Sequence, residues 1–304
     1  MKSDRYDVVV VGGSFAGMAA ALQLGRARQR VLVVDAARPR NRFAHASHGF
    51  PGQDGRAPAE IVATFRAEVR AYPTATIIED EVTHARALDD GFELTLASGS
   101  TVTARRLVLA TGVVDDLPDV PGLRERWGVS VLHCPYCHGY EVAGRRFGVL
   151  ANGEMAVHQA LLVADWSDDI TLFLHGVLQP DGEQRAQLAA RGVRIEERPV
   201  AALAGEGTEL SGVRLQDGEV IGIDALFTQP RTRIASPLAE QLGCELEDAP
   251  AGPIIRTDAQ KATSVAGVFA AGDAARAFAN ATMAAADGVM AGIAAHRSLV
   301  FPTA

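Results

Sequence analysis

Asp7-Val8-Val9-Val10-Val11-Gly12-Gly13-Ser14-Phe15-Ala16-Gly17 is an apolar, β-branched run that breaks on glycines, and Met18 to Leu24 then follows a helical pattern. Four consecutive valines read as a strand buried on both faces. Gly12 permits a tight turn, the helix start offers unpaired N–H groups to a pyrophosphate, and Gly17 lets helix and strand approach closely. A second strand, Arg30 to Val34, ends at Asp35, 23 residues beyond Gly12. That is close to the spacing of a dinucleotide-binding βαβ unit, in which the acidic residue accepts hydrogen bonds from a ribose. Ser14 stands where such turns carry their second glycine; its hydroxyl can itself donate to a phosphate. A plain strand–turn–helix remains the alternative.

Outward from this unit, Arg40 to Gly55 reads as a loop rich in Arg, His and Gly, followed by a helix from Ala57 to Ala71. Strands are expected at Thr76 to Val82, Phe92 to Leu96, Thr101 to Thr103 and Arg106 to Ala110, the last running into Thr111-Gly112. Asp115 to Pro121 is an acidic, proline-containing linker. A second βαβ pattern then begins: strand Phe147 to Leu150, turn Ala151-Asn152-Gly153-Glu154-Met155-Ala156, helix Val157 to Ala164 and strand Ile170 to Leu174. Further strands are expected at Val193 to Glu196, Leu210 to Leu215 and Ala225 to Thr228. Pro230 to Pro237 reads as a second linker. Val265 to Asp273 is a strand ending in Gly272-Asp273, and an alanine-rich helix follows from about Thr282 to Leu299. The pattern predicts an α/β chain of two Rossmann-like, three-layer ββα dinucleotide-binding domains, the second inserted into the first. The expected bounds are 1–114 and 236–304 for the outer domain and 115–235 for the insert.

The 304 residues suffice for two cores, and the 48% apolar and 22% charged fractions are ordinary for a globular chain. A net charge of −8 argues against nucleic acid or an anionic membrane surface as principal partner. No segment approaches a membrane span, and the run Val8 to Val11 is too short for a signal-peptide core. Three cysteines do not make a secreted disulfide framework, so the expected compartment is the cytoplasm.

The chemistry centres on His133-Cys134-Pro135-Tyr136-Cys137-His138-Gly139-Tyr140-Glu141. A Cys-x-x-Cys pair can close or attack a disulfide, and the thiolate is the reactive species. Four readings compete: a redox dithiol, a c-type haem site, a zinc site and a structural accident. Haem is disfavoured by the expected compartment. Zinc is disfavoured because His133, Cys134, Cys137 and His138 crowd into six residues with no second ligand pair at a useful spacing. No metal is therefore expected. Cys244 reads as a small buried side chain.

Taken in order, these blocks resemble the low-molecular-weight thioredoxin reductases, FAD-dependent disulfide oxidoreductases. The resemblance runs from the glycine fingerprint through Leu109-Ala110-Thr111-Gly112, the Cys-x-x-Cys and the second dinucleotide fold to Gly267-Val268-Phe269-Ala270-Ala271-Gly272-Asp273. Within it, Cys-Pro-x-Cys-His-Gly is similar to the motif of dithiol oxidases that close disulfides in small natural products of the gliotoxin and holomycin kind, and of bacterial thioredoxin reductase-like proteins. The resemblance implies that Gly12, Ser14, Phe15, Ala16 and Gly17 cradle the FAD pyrophosphate and that Asp35 holds the adenosine ribose. It implies that backbone at Val82 faces the adenine, that Thr111 and Gly112 close the first segment, and that Gly272 and Asp273 meet the ribityl chain. Ala281 and Thr282, at the last helix start, would meet the flavin ring. Arg42 would reach the phosphates, although Arg38, Arg40 and Arg42 also read as a solvated basic run. His45 and His48 would lie in the loop beside the flavin. Cys137 would be the flavin-side sulfur, Cys134 the outward one, and His138 the acid–base group.

One departure stands out. The family's NADPH fold asks for a glycine where Ala151 stands, and for arginines where Leu174-His175-Gly176-Val177 stands. A 2′-phosphate without a cationic fork loses charge-assisted hydrogen bonds of about 1.5–3 kcal/mol each. NADPH use is thus an open question. Two directions remain: reduction of a thioredoxin-like protein, or oxidation of a small-molecule dithiol with dioxygen as final acceptor. The resemblance further implies a homodimer.

Overall fold

The computed structural model describes residues 5–301. Contacts divide the chain into two units. One holds the chain up to Arg42, Phe50–Val114 and everything from Thr232 onward; the other holds Phe43–Gly49 and Asp115–Arg231.

The first unit begins with β1 (Arg5–Val11), α1 (Phe15–Arg26) and β2 (Val31–Asp35). It continues with α2 (Pro58–Arg70), β3 (Ala75–Glu79), β4 (Val82–Leu88), β5 (Gly91–Leu96) and β6 (Thr101–Leu109). β7 (Val113–Asp116) leads out of this unit. The second unit contains β8 (Val131–Leu132), α3 (Pro135–His138), β9 (Phe147–Leu150), α4 (Met155–Val163), β10 (Ile170–Phe173), α5 (Gly182–Ala190) and β11 (Arg194–Glu196). β12 (Val200–Ala204), β13 (Gly212–Leu215), β14 (Val220–Ile221) and β15 (Ala225–Phe227) complete it. β16 (Arg231–Ile234) leads back and pairs with β7. Then come α6 (Leu238–Gln241), the hairpin β17 (Leu246–Ala249) and β18 (Gly252–Ile255), β19 (Val268–Ala270) and α7 (Ala281–Val300).

In the first unit β3, β2, β1, β6 and β19 form a parallel sheet in that order, and the N-terminal half of β6 pairs antiparallel with the β5–β4 hairpin. Alternation along β1 explains its four valines. Val8 and Val10 face α1, α2 and α7, whereas Val9 and Val11 face a second core with Leu94, Leu107 and Leu238. Full burial of a valine contributes roughly 1.5–3 kcal/mol, so both faces drive the strand inward. α7 lies directly on α1: a Cβ on Gly288 would stand 2.0 Å from the carbonyl oxygen of Ala16. Only a glycine allows that approach.

The second unit repeats the plan. β11, β10, β9, β15 and β8 form a parallel sheet in that order, beside a separate antiparallel sheet of β12, β13 and β14. Phe147, Val149 and Leu172 pack on α4, while Leu150, Phe173 and Leu226 pack toward β12 and β13. The fifth sheet strand is β19 in the first unit, late in the chain, but β8 in the second, ahead of its βαβ core.

Several expectations need correction. The strand expected at Thr76 to Val82 is two strands: it breaks at Asp80-Glu81, β3 pairs with β2, and Val82 opens β4, which pairs with β5 at the opposite edge of the sheet. Thr101 to Thr103 and Arg106 to Ala110 are one strand, β6. The two linkers are partly ordered as β7 and β16, and the return to the first unit falls at Thr232 instead of residue 236. Phe43–Gly49 belongs to the second unit; Phe43 lies so close to Gly128 that a Cβ there would stand 2.8 Å from its own.

Candidate active site

In the first unit the predicted cofactor residues gather at the C-terminal ends of the parallel strands. Val11 pairs with Leu109, which pairs with Ala270, so the Gly12 turn, Thr111-Gly112 and Gly272-Asp273 leave one sheet edge together. This is the edge where open α/β sheets bind ligands. Gly12 has φ +106°, and a Cβ there would stand 2.2 Å from the carbonyl oxygen of Ala110. A Cβ on Gly17 would stand 1.8 Å from the carbonyl oxygen of Gly12. Neither position admits a side chain. Ser14 is the α1 N-cap, yet its side chain makes no capping hydrogen bond to the helix. Ala16 packs under Gly272, where an added Cβ would stand 2.9 Å from its own. The Phe15 ring is core, 6.2 Å from both Phe50 and Phe65, so only its backbone is placed to serve a ligand.

Asp35 is nearly buried. Its Oδ1 accepts from the backbone N–H of Gly13 at 3.1 Å and of Ala37 at 3.2 Å, and its Oδ2 pairs with Arg66 of α2. Asp273 accepts from Arg40 Nη1 at 2.8 Å. Arg42, expected at the phosphates, donates from Nη1 to the carbonyl of Pro39 at 2.9 Å, so Arg40 is the member of the basic run that meets a predicted site residue. The Thr111 hydroxyl is buried without a hydrogen-bond partner. Val82 buries its side chain in the second core of this unit. Ala281 and Thr282 open α7, whose N-cap Asn280 accepts from Met283 N–H at 2.8 Å. Behind this helix start, Asp287 forms a buried ion pair with Lys261 at 2.9 Å and stands 3.5 Å from Arg276 Nε. Sequence reading missed Arg40, Arg66, Lys261 and Asp287, because their partners lie far along the chain.

In the second unit Cys134 and Cys137 form a disulfide, with Cα atoms 5.3 Å apart. Cys134 is the N-cap of α3 and is buried, whereas Cys137, inside the helix, is half-buried. Pro135 supplies a preset first helical position. Gln159 of α4 donates to the carbonyl of His133 at 2.9 Å and so anchors the segment entering the motif. Tyr136 is largely exposed and meets Trp166 edge-on, with centroids 5.6 Å apart. Burial pushes the His138 imidazole below its ordinary pKa; Glu141 acts upward and His48 downward. His48 Nε2 lies 3.4 Å from Glu141 Oε1, so the structure places this predicted flavin-side residue against the disulfide segment. His45 is exposed.

The second nucleotide turn differs from the first. Ala151 replaces its first glycine, and Asn152 Nδ2 donates to the carbonyl of Gln229 at 3.0 Å. Glu154 is the N-cap of α4; it is exposed and its side chain makes no capping hydrogen bond, so the first turn of this helix begins beside an acidic residue. Beyond β10, His175 has φ +53°, and its Nδ1 accepts from Val200 N–H at 3.0 Å. Arg185, the next arginine, pairs with Glu197 at 2.9 Å. Among the described residues no group of three or more His, Cys, Asp or Glu is placed to hold a metal ion, and no helix is long and apolar enough to cross a membrane.

Residues 6–288 match the pyridine nucleotide-disulphide oxidoreductase family, and the chain belongs to it. It is 36% identical over 308 residues to the thioredoxin reductase tcpT of Claviceps purpurea, covering 98% of this chain and 95% of that one. Among solved structures it is similar to an oxidoreductase from Agrobacterium tumefaciens at 49% identity and TM-score 0.94, covering 98% of this chain and 100% of that one. It is also similar to HlmI at 42% identity and TM-score 0.90, covering 97% of this chain and 92% of that one. The protein is an oxidoreductase of the thioredoxin reductase-like kind, a family of FAD-binding flavoproteins. The first-unit turn fits that cofactor: its two glycine positions leave backbone room that no Cβ could share, and the buried Thr111 hydroxyl awaits a partner.

Proposed function

We propose that the protein exchanges disulfide for dithiol at Cys134 and Cys137, with His138 as proton carrier and FAD held by the first unit. The observation that carries this is the Cys134–Cys137 disulfide followed directly by an imidazole that burial keeps neutral near pH 7, and hence able to accept a proton. Bound FAD supplies a two-electron partner for the dithiol. The chain's own residues do the rest. Backbone at Gly12 to Gly17 takes the pyrophosphate, Asp35, oriented by Gly13, Ala37 and Arg66, takes the adenosine ribose, and backbone at Val82 faces the adenine. Thr111, Gly112, Gly272 and Asp273 take the ribityl region, with Arg40 orienting Asp273. The α7 start, Ala281 and Thr282, sets its positive dipole end at the ring.

A substrate thiol gives its proton to an imidazole and its sulfur attacks one enzyme sulfur. The Cys134–Cys137 bond breaks, and the departing thiolate takes a proton back. By the family resemblance Cys134 meets the substrate and Cys137 meets the flavin.

The direction we favour is dithiol oxidation, with dioxygen as terminal acceptor. Glu154 at the α4 start, the locked His175 and the absence of an arginine from Leu174 to Val177 all disfavour an NADPH 2′-phosphate and pyrophosphate. A small-molecule dithiol is the favoured substrate, and a thioredoxin-like protein disulfide is the alternative. We place the enzyme in the cytoplasm, as a homodimer. The test is anaerobic mixing of the yellow protein with NADPH and, separately, with a small dithiol. Bleaching by dithiol alone, followed by peroxide release in air, is expected; rapid bleaching by NADPH overturns the direction. Single Cys134→Ser and Cys137→Ser variants then show which sulfur traps a mixed disulfide.

A further inference from the structure

Closing a substrate disulfide moves two protons, one from each substrate thiol to each enzyme thiol; of the two imidazoles that flank the pair, His138 follows Cys137, whereas His133, ahead of Cys134, lies against Trp127 with ring centroids 6.1 Å apart and is not among the groups that act on His138. The structure brings another. Phe43–Gly49 belongs to the disulfide-bearing unit although the chain on either side of it belongs to the other. Its His48 is 3.4 Å from Glu141, and Glu141 stands three residues beyond His138, itself next to Cys137. The ionisable side chains that act on His138 are Glu141, from its own segment, and His48, from residues 43–49. They act in opposite directions.

We infer that Glu141 joins His48 and His138 into one proton-handling unit beside Cys134–Cys137, with His48 as the second imidazole for the dithiol. This rests on the exchange reading above. In the first step a substrate thiol passes its proton to one imidazole and its sulfur bonds to an enzyme sulfur. The Cys134–Cys137 bond breaks, and the leaving thiolate takes that proton. In the second step the other substrate thiol passes its proton to the other imidazole and attacks its own mixed-disulfide sulfur. The substrate disulfide forms, the enzyme–substrate bond breaks, and the second enzyme thiolate is protonated. The substrate loses two electrons, the enzyme disulfide gains two, and no proton is left over. Glu141 is a positioning residue: its carboxylate stands 3.4 Å from His48 Nε2 and favours the charged form of His138.

The test is single-turnover exchange between the oxidised enzyme and dithiothreitol, anaerobic, quenched with acid and read as dithiothreitol disulfide formed between pH 5 and 9. Glu141→Gln is expected to move the ascending inflection to lower pH, because the carboxylate that favours charged His138 is gone. His48→Asn is expected to move it to higher pH and to slow exchange about tenfold or more. Glu141→Asp, which keeps the carboxylate, is expected to restore the wild-type profile, and it carries the comparison with His48→Asn should Glu141→Gln fail to fold. Rate losses with an unmoved inflection in every variant overturn the inference. Unchanged exchange in both cysteine variants overturns the parent reading instead.

Discussion

The two nucleotide folds of this chain share a backbone plan and differ in what surrounds the turn after the first strand of each. In the first unit, Gly12 and Gly17 clear space for a ligand, and charged residues from distant segments brace its rim: Arg66 on Asp35, Arg40 on Asp273, and Lys261 on Asp287. In the second, alanine fills the first glycine position, a glutamate stands at the helix N-cap, and a histidine closes the strand end against backbone. Its ion pairs, such as those of Arg198 with Glu196, Asp217 and Glu219, lie at the surface. The lesson is that two copies of one backbone plan can differ in both the space and the buried charge around the same turn.

The largest effect should come from the buried pair. Lys261→Met leaves Asp287 buried with only Arg276 at 3.5 Å, and a loss of about 3–5 kcal/mol is expected from denaturant unfolding. Arg198→Ala in the second unit, despite three carboxylates, should be indistinguishable from wild type by the same measurement. A matched loss at both sites would break the contrast.

Next is the turn. Gly17→Ala drives a Cβ into the carbonyl of Gly12, and a protein nearly free of flavin, destabilised by about 3 kcal/mol, is expected from its absorbance ratio and melting. The opposite change at the matching position of the second turn, Ala156→Gly, should cost only about 1 kcal/mol through helix propensity and leave flavin content intact.

The strand end sharpens the nucleotide question. Substitution Val177→Arg, at an exposed position past β10, offers a cation worth about 1.5–3 kcal/mol per charge-assisted bond. With Glu154 also changed to Gln, anaerobic bleaching by NADPH should appear where none is expected of the unaltered protein. No gain in NADPH bleaching would place the obstacle elsewhere in the second unit.

The smallest effect is a pH dependence. Burial holds His175 below its ordinary pKa of 6.5, and its Nδ1 must be unprotonated to accept from Val200. Below pH 6.5 the unfolded chain binds a proton that the folded chain refuses. Stability therefore falls as pH drops through that value and levels off beneath the folded pKa. His175→Gln should flatten the melting-temperature profile over that range; an unchanged slope would count against His175 as its source.

Much of the fold was legible because its signals are local. Val8 to Val11, the glycines after them, Phe147 to Leu150 and the Gly272-Asp273 ending each declare themselves within a few residues. The Asp181/Gln184 capping box of α5 was equally local, yet no helix was expected there. Ala201 and Ala202 weaken the strand signal of β12, and the β17–β18 hairpin carries acidic residues that read as loop. Of the site, the disulfide motif and the cradle could be found by spacing. Arg40, Arg66 and the clustering of His48 with Glu141 could not, since each joins segments 31 to 233 residues apart with no periodicity to mark them.

The sequence by itself determined the two βαβ units, the Cys-x-x-Cys with its following histidine, and the want of arginines from Leu174 to Val177, just after β10. These are matters of local sterics and residue chemistry, readable wherever the chain lies. Tertiary structure alone decided which charge meets which: Arg40 on Asp273, Arg66 behind Asp35, and His48 beside Glu141. Such pairs form only after strand order has returned distant segments to one place, and no short-range rule specifies that return.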